Sequence, residues 1–341
     1  MFENGSIRIK TKPFYTVKAL DVSIPKGRMI AVTGVSGSGK TSLVIECLVP
    51  ALQAVIQGTK LPEHVDSIEA KGIQSVKVID SKPIGANVRS TVATYDGVFD
   101  DLRKLFARTA DAKAKGLTAG DFSYNTGKLR CPVCDGTGII TMDVQFLPDV
   151  DTICPSCGGS RYGKDAYDIL WKSKEKDSVS VSLPGLLKLT VEEAAGILHE
   201  ETKIAKQLKI LQDLGVCYLT LGEATPALSG GEAQRLKLAY EMETPQQGSV
   251  FVFDEPTIGL HPQDVKKLVL IFDHLIQLGA TVIVIEHDLE LVTNCDYIID
   301  MGPWGGTEGG RVVVEGTPEA VAATSESITG RYLKQELAED K

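Results

Sequence analysis

The chain has 341 residues, of which 43% are hydrophobic and 24% charged, a composition typical of a soluble globular protein with room for two domains. No apolar run reaches the roughly 18 residues that a membrane-spanning helix needs, and the amino-terminal residues lack the pattern of a signal peptide, so a cytoplasmic protein is expected. The formal net charge of −9 argues against a nucleic-acid binder that works through bulk charge.

The first predicted elements lead to a phosphate-binding motif. Short strands within 7–24 precede an apolar strand at 29–32, and the chain then reads G-x-x-x-x-G-K-T before a predicted helix. Its glycines let successive N–H groups face a phosphate at the helix N-terminus. Lys40 is expected to reach the β- and γ-phosphates and the Thr41 hydroxyl to ligate Mg²⁺. The alternative, a glycine-rich turn without a ligand, explains neither flanking element. The candidate nucleotide-binding residues here are Gly34, Ser36, Gly37, Ser38, Gly39, Lys40, Thr41 and Ser42.

The middle of the chain carries two Cys-x-x-Cys pairs with 19 residues between them. Predicted helices at 100–115 and 190–221 lie on either side, and residues 139–146 suit one arm of a hairpin. Four thiolates in two knuckles form a closed tetrahedral Zn²⁺ site, which is structural because no position stays open. A disulfide or a redox pair is the alternative, but the paired spacing favours zinc. The predicted ligands are Cys131, Cys134, Cys154 and Cys157.

A Leu-Ser-Gly-Gly-Glu motif follows at 228–232. Ser229 is expected to cap a helix there, with Glu232 completing a capping box. A capping box without further function is the alternative interpretation.

Two later apolar strands end in polar residues. The strand at 249–253 delivers Asp254 and Glu255 to its end, and the strand at 281–285 is followed by His287. A single histidine at a strand end is more often structural than catalytic, but His287 lies where a contact with the γ-phosphate is expected.

The order of these motifs resembles the ATP-binding-cassette ATPases. Within that group, the segment Asp254-Glu-Pro-Thr-Ile-Gly-Leu-His-Pro-Gln-Asp264 and the cysteine insert before the signature resemble the UvrA family, whose members belong to the UvrABC excinuclease. The segments 93–99, 146–150 and the tail from Gly316 to Leu333 are also similar to that family. The resemblance runs nearly end to end, but only to the carboxyl-terminal half of those proteins.

The resemblance implies an α/β fold with a discontinuous ATP-binding-cassette core. The core is expected at 1–85 and 226–341. An inserted α+β signature domain is expected at 86–225, with the zinc module at 131–157.

The resemblance also implies an ATPase without nuclease activity of its own. Lys40 and the loop amides hold ATP, and Thr41 and Asp254 position Mg²⁺. Glu255 polarises the attacking water, while His287 contacts the γ-phosphate. These are positioning and charge-stabilising roles, as phosphoryl transfer requires.

The implied partners follow from the signature. Ser229, Gly230 and Gly231 would face the γ-phosphate held by another cassette, so the chain is expected to pair around ATP with itself or with a homologous cassette. Damaged double-stranded DNA, in nucleotide excision repair, would be recognised through its shape and deformability, with backbone contacts from the insert. The other excision-repair subunits are further implied partners, although the domain that usually binds them has no counterpart in this sequence.

The sequence departs from the family pattern at one residue and in one short segment. Ser81 stands near the place of a Gln that senses Mg²⁺ and the attacking water, and 239–243 is more acidic than usual. The acidity and the net charge leave open an alternative, a UvrA-like ATPase paralogue in drug resistance or regulation that does not survey lesions. A membrane transporter's cassette is disfavoured, because a zinc hairpin has no evident use there.

An aromatic pair precedes the phosphate loop by about 25 residues. Phe14 or Tyr15 is a candidate for stacking on adenine, as an aromatic does in transporter cassettes. An ordinary strand-end aromatic is the alternative.

Overall fold

The computed structural model describes residues 1–142, 150–173, 179–242, 244 and 246–339. Within them the strands are β1 (Ser6–Thr11), β2 (Asp21–Pro25), β3 (Met29–Gly34), β4 (Val65–Glu69), β5 (Ser75–Ile79), β6 (Ile139–Met142), β7 (Val150–Ile153), β8 (Leu170–Lys172), β9 (Ser180–Ser182), β10 (Ser249–Asp254), β11 (Thr281–Ile285), β12 (Tyr297–Gly302) and β13 (Arg311–Gly316). The α-helices are α1 (Val49–Gln57), α2 (Val92–Tyr95), α3 (Val98–Ala107), α4 (Ala110–Ala114), α5 (Leu183–Leu187), α6 (Val191–Ile197), α7 (Thr202–Asp213), α8 (Gly230–Met242), α9 (Pro262–Gln277), α10 (Leu289–Thr293), α11 (Pro318–Ala322) and α12 (Ile328–Glu339). A π-helical segment, Ser42–Leu48, runs directly into α1.

The chain divides into two compact units. The first unit combines residues 1–81 with 241–341, and the second comprises 82–240. The predicted domains divide the chain at 85/86 and 225/226 instead, so the second unit takes in most of α8. Assignment of a separate function to each unit stays a prediction.

The first unit is built on a six-stranded sheet with the order β13-β12-β3-β11-β10-β5. All neighbouring strands are parallel except β12 and β13. The central strands are β-branched and aromatic runs, and every residue of Val282–Ile285 and Val250–Phe253 is buried. Such continuous burial is expected where both faces of a parallel sheet are covered. The predicted α/β class and its three central strands are confirmed.

A smaller antiparallel sheet, β2-β1-β4, also lies in the first unit. Ile7 and Ile9 of β1 are fully buried and alternate with more exposed residues, as period-two strands with one covered face require. The strand β4 was not predicted: residues 57–75 read as a turn-rich segment, because only Val65 of that strand is buried.

The second unit contains short helices and two hairpins, β6–β7 and β8–β9. A single helix predicted at 100–115 is wrong. The structure has α3 and α4, because Thr109 caps a new helix by accepting a hydrogen bond from the Ala112 N–H. The helix predicted at 190–221 is likewise α6 and α7, followed by non-helical chain. Part of the predicted hairpin arm (143–146), most of the 146–150 segment and Glu243 lie outside the described residues.

Candidate functional site

The ends of three adjacent strands bring the predicted nucleotide residues of the first unit to one edge of the sheet. Val32 of β3 is in register with Ile285 of β11, and Ile285 is in register with Asp254 of β10. The phosphate loop follows β3, Glu255 follows β10, and His287 lies two positions after the end of β11. Because parallel strands end at the same edge, residues from three distant parts of the chain meet there.

The phosphate loop has the backbone shape that its glycines predict. Gly34 has φ of +131°. A Cβ atom at this position would lie 2.0 Å from the Met301 carbonyl oxygen, so a larger residue does not fit. Ser36 and Thr41 are exposed, whereas Ser38 is fully buried and its N–H donates to the Val35 carbonyl. The structure therefore exposes Ser36 and Thr41 and places the side chain of Ser38 inside.

Lys40 lies against its own loop. Its Nζ donates to the carbonyl oxygens of Gly34 at 2.7 Å and Val35 at 3.1 Å. Burial lowers the pKa of Lys40, although nearby carboxylates, with Glu255 first among them, oppose this shift. A partly desolvated ammonium at a helix N-terminus favours an anionic ligand.

A second glycine-rich loop, residues 305–310, supports the phosphate loop and was not predicted. The Gly306 N–H donates to the Gly37 carbonyl at 3.0 Å, and the Gly310 N–H donates to the Ser38 carbonyl at 3.1 Å. The signal that could have revealed it is the run Gly-Gly-Thr-Glu-Gly-Gly, which permits close approach of two backbones.

Asp300 is a second feature that sequence reasoning missed. It is buried in β12 and accepts hydrogen bonds from the hydroxyls of Thr33 at 2.7 Å, Ser327 at 2.6 Å and Thr329 at 2.7 Å. These donors stabilise a carboxylate inside the unit. Through Asp300, these hydrogen bonds connect Thr33, at the end of β3, to the start of α12.

Glu255 has an unusual backbone. Its φ is +49°, a left-handed conformation that costs a non-glycine residue about 1–3 kcal/mol. Its N–H donates to the Ile285 carbonyl at 2.9 Å, which fixes this turn against β11. The strain therefore falls on the residue predicted to polarise water.

The His287 ring is exposed, with 68% of the side chain accessible, while the preceding Glu286 is fully buried. Glu286 received no role from the sequence. Its carboxylate binds the loops that follow both β10 and β11, since it accepts from Thr257 and from the His287 N–H.

The signature motif lies in the second unit. Ser229 and Glu232 form the predicted reciprocal capping box: the Ser229 N–H donates to Glu232 Oε2 at 2.7 Å, and the Glu232 N–H donates to the Ser229 hydroxyl at 3.4 Å. Ser229 and Gly230 are exposed, and Gly231 is half-buried. The N-terminus of the 13-residue α8 is thus accessible to an anion.

The four predicted metal ligands form one cluster in the second unit. The Sγ atoms of Cys131, Cys134, Cys154 and Cys157 all lie within 4.8 Å of one another, and no pair is disulfide-bonded. The Sγ atoms of Cys131 and Cys154 are 4.0 Å apart, and those of Cys134 and Cys157 are 3.7 Å apart. A tetrahedron with Zn–S bonds of about 2.3 Å has sulfur–sulfur edges of about 3.8 Å, so the cluster fits zinc.

The knuckle turns around the cluster are tightly packed. A Cβ atom on Gly136, where φ is +79°, would lie 1.7 Å from the Tyr124 carbonyl oxygen. The Gly138 N–H donates a hydrogen bond to Cys134 Sγ at 3.3 Å. These glycines allow the chain to turn tightly around the sulfur atoms.

The candidate adenine-stacking aromatics are placed differently from each other. The Phe14 ring stacks on His64, with centroids 3.9 Å apart, so one of its faces is covered. Tyr15 is 79% exposed and has φ of +49°. Tyr15 is therefore the better placed of the two for a ligand contact.

Across the described residues, no helix combines the length and apolar character needed to cross a membrane.

The chain is similar to known proteins along nearly its whole length. It is 44% identical over 328 residues to UvrABC system protein A of Staphylococcus aureus, which covers 95% of this chain and 34% of that protein. Identity to the same protein of Lactiplantibacillus plantarum is 42%, over 99% of this chain and 35% of the relative. No family model matches.

A solved structure supports the same relationship. The crystal structure of UvrA2 from Deinococcus radiodurans superposes with a TM-score of 0.87 and 40% identity, covering 97% of this chain and 39% of that one. The chain thus has the α/β phosphate-loop fold of the ATP-binding-cassette ATPases, and it spans about a third of the length of the curated relatives that it matches. The predicted resemblance is confirmed: this chain is a homologue of the UvrA proteins over almost all of its own length.

Proposed function

We propose that this chain is an ATPase that couples ATP binding and hydrolysis to recognition of damaged double-stranded DNA in nucleotide excision repair. The observation that carries the proposal is the sheet edge where the phosphate loop, Asp254, Glu255 and His287 meet. The UvrA relatives supply the link to DNA repair. The chain itself is expected to have no nuclease activity.

The loop amides and Lys40 would bind the triphosphate, since Lys40 already lies against the loop carbonyls. Thr41, exposed at the helix N-terminus, and Asp254 would hold Mg²⁺ through oxygen atoms, the ligands that this ion prefers. Bound Mg²⁺ would neutralise charge on the phosphates.

Glu255 would orient the attacking water, and the exposed His287 ring would contact the γ-phosphate. The backbone of Glu255 is held in its left-handed conformation by the hydrogen bond from its N–H to the Ile285 carbonyl, which sets the point from which its side chain leaves the chain. Such preorganisation is the main contribution a protein makes to phosphoryl transfer.

The exposed signature residues Ser229 and Gly230, with Gly231, would complete the site of a second cassette. One phosphate loop and one signature per chain require a partner for a complete site, and a two-fold pair of identical chains supplies two. The zinc cluster would stabilise the second unit without taking part in hydrolysis.

DNA would be recognised by its shape and deformability, with contacts from the second unit, because the net charge of −9 does not favour strong non-specific binding. One argument for the alternative paralogue is weakened by the structure. Glu241, part of the acidic stretch, pairs with Lys77 at 3.1 Å, so its charge is neutralised within the first unit.

A binding comparison tests the proposal. Affinity for a lesion-bearing duplex and for the same intact duplex is measured at one stated salt concentration, with and without a non-hydrolysable ATP analogue. We expect tighter binding to the damaged duplex and faster ATP hydrolysis in its presence. Equal affinities, with hydrolysis unaffected by either DNA, would point to the ATPase without lesion surveillance.

A further inference from the structure

The buried carboxylate of Glu286 joins two loops at the candidate nucleotide site. Oε1 accepts from the Thr257 N–H at 3.0 Å and also from the Thr257 hydroxyl. Oε2 accepts from the N–H groups of His287 at 2.6 Å and Asp288 at 3.2 Å. The side chain is fully buried, so its hydrogen bonds are made to the protein.

The two loops carry the residues assigned to hydrolysis. Thr257 lies two positions after Glu255, in the loop that follows β10, and His287 begins the loop that follows β11. The backbone adds two further hydrogen bonds. The Glu255 N–H donates to the Ile285 carbonyl oxygen at 2.9 Å, and the Glu286 N–H donates to the Val32 carbonyl oxygen at 3.3 Å. Glu286 is therefore fixed at the centre of the strand ends.

A buried carboxylate is costly unless it is hydrogen-bonded. Here both oxygens are satisfied by donors, and charge-assisted bonds of this kind are short and strong. Each oxygen holds a different loop. The separation of the two loops is thus set by the width of one carboxylate group.

We infer that Glu286 is a positioning residue for ATP hydrolysis, which holds the Glu255 loop in fixed relation to His287; this rests on the proposed function. Glu286 does not itself touch the nucleotide or the attacking water, because its side chain is buried and both oxygens are engaged. Its effect reaches the reaction through the other two residues.

The substitution Glu286→Gln tests this role because it preserves shape. An amide has one acceptor oxygen, and its NH₂ group cannot accept from a backbone N–H, so one of the two loops must lose its bonds. We expect kcat to fall about 10- to 100-fold, as small misplacements of reacting groups cost up to about 10². KM, and the Kd for a non-hydrolysable ATP analogue, should stay within about threefold of wild type, and Tm should show that the chain is folded.

A matched pair at Thr257 provides the control. Thr257→Val removes the hydroxyl that bonds Glu286 Oε1 and keeps the shape, whereas Thr257→Ser keeps the hydroxyl. We expect kcat to fall in the valine variant and to stay near wild type in the serine variant. In the double variant that combines Thr257→Val with Glu286→Gln, kcat should fall by less than the product of the two single fold-changes, because the effects of coupled residues are not additive.

A kcat within threefold of wild type in a folded Glu286→Gln chain would overturn the inference. If that variant did not fold, equal kcat for the valine and serine variants would overturn it instead. Should the wild-type chain not hydrolyse ATP, the proposed function alone would fail. The link that Glu286 makes between the two loops, which does not depend on hydrolysis, would then be judged by the NMR amide signal of Thr257, 29 positions from residue 286. Movement of that signal in Glu286→Gln supports the link, and an unchanged signal overturns it.

Discussion

The Nζ atom of Lys40 lies 2.7 Å from the carbonyl oxygen of Gly34, the first residue of its own phosphate loop. This contact and a second one to the Val35 carbonyl oxygen at 3.1 Å hold the lysine against the loop. Its ammonium must exchange these carbonyl contacts for phosphate oxygens, which form stronger, charge-assisted bonds. The position of Lys40 at the loop supports a role in binding.

Replacing Lys40 by Ala should therefore weaken nucleotide binding itself. Hydrogen bonds to charged groups contribute about 1.5–3 kcal/mol, so we expect the Kd for ATP to rise by about one to two orders of magnitude. Isothermal titration of the purified chain measures this. Lys60→Ala, which removes an exposed lysine outside the site, is the control. An unchanged Kd in Lys40→Ala would contradict the assignment.

Glu255→Gln should separate hydrolysis from binding. Loss of a group that orients or deprotonates water costs on the order of 10²–10⁴ in rate, whereas ATP binding does not depend on it. Steady-state turnover and ATP affinity are measured side by side. Glu63→Gln, at a position outside the site, should behave as wild type. Turnover within threefold of wild type would rule out the role of Glu255.

The central strands and the phosphate loop could be predicted because their signals are local. Residues 29–32 are apolar and lead to a glycine motif, and the run before Asp254 is buried along its length. The contribution of Asp300 could not be predicted in this way. Asp300 and its partner Thr33 are 267 positions apart, and only the strand order brings them together.

The helix boundaries in the second unit could not be predicted from the sequence pattern either. Leu102, Leu105 and Phe106 are apolar at helical spacing and predict one helix over 100–115, yet the Thr109 side chain caps α4 and divides this stretch into two helices. A local hydrogen bond can therefore outweigh hydrophobic periodicity. The cysteine cluster was predictable, because paired knuckles have a chemical meaning that does not depend on the exact fold around them.

Each chain should contain one Zn²⁺, bound by the four-cysteine cluster. Cys154→Ser combined with Cys157→Ser should abolish zinc binding, since serine does not replace thiolate ligands, while ATP hydrolysis should survive better than DNA binding. Elemental analysis gives the zinc content. Cys217→Ser, outside the cluster, should keep the metal. Zinc-free wild-type protein, or full zinc content in the double variant, would refute the site.

Tyr15→Ala should weaken ATP binding if the exposed ring stacks on adenine. Aromatic contacts contribute about 0.5–1.5 kcal/mol, so we expect the Kd to rise about 2- to 12-fold. Tyr15→Phe keeps the ring and should bind normally. Phe14→Ala is measured in parallel, because Phe14 is the other candidate. Stacking by this pair is excluded when the Kd is unchanged in both alanine variants.

A homodimer should form around ATP and loosen after hydrolysis, so turnover per chain should rise with protein concentration. Lys40→Ala lacks the phosphate-loop lysine, and Ser229→Arg blocks the signature; each variant alone should be inactive. A mixture should recover part of the activity, because a mixed dimer keeps one intact pair of loop and signature. Concentration-independent turnover by a monomer, without recovery on mixing, would contradict the pairing.

The interleaved sheet of the first unit has a consequence for synthesis on the ribosome. The Gly27 N–H bonds to the hydroxyl of Thr281, 254 positions later, and β3 lies between β11 and β12. Synthesis proceeds at about 5–20 residues per second, so about 13–50 s pass between the synthesis of the phosphate-loop strand and that of its neighbours. Residues 82–240 form one continuous stretch and emerge completely during that interval. Nascent chains should thus acquire the cysteine-bearing unit first, and the nucleotide site last.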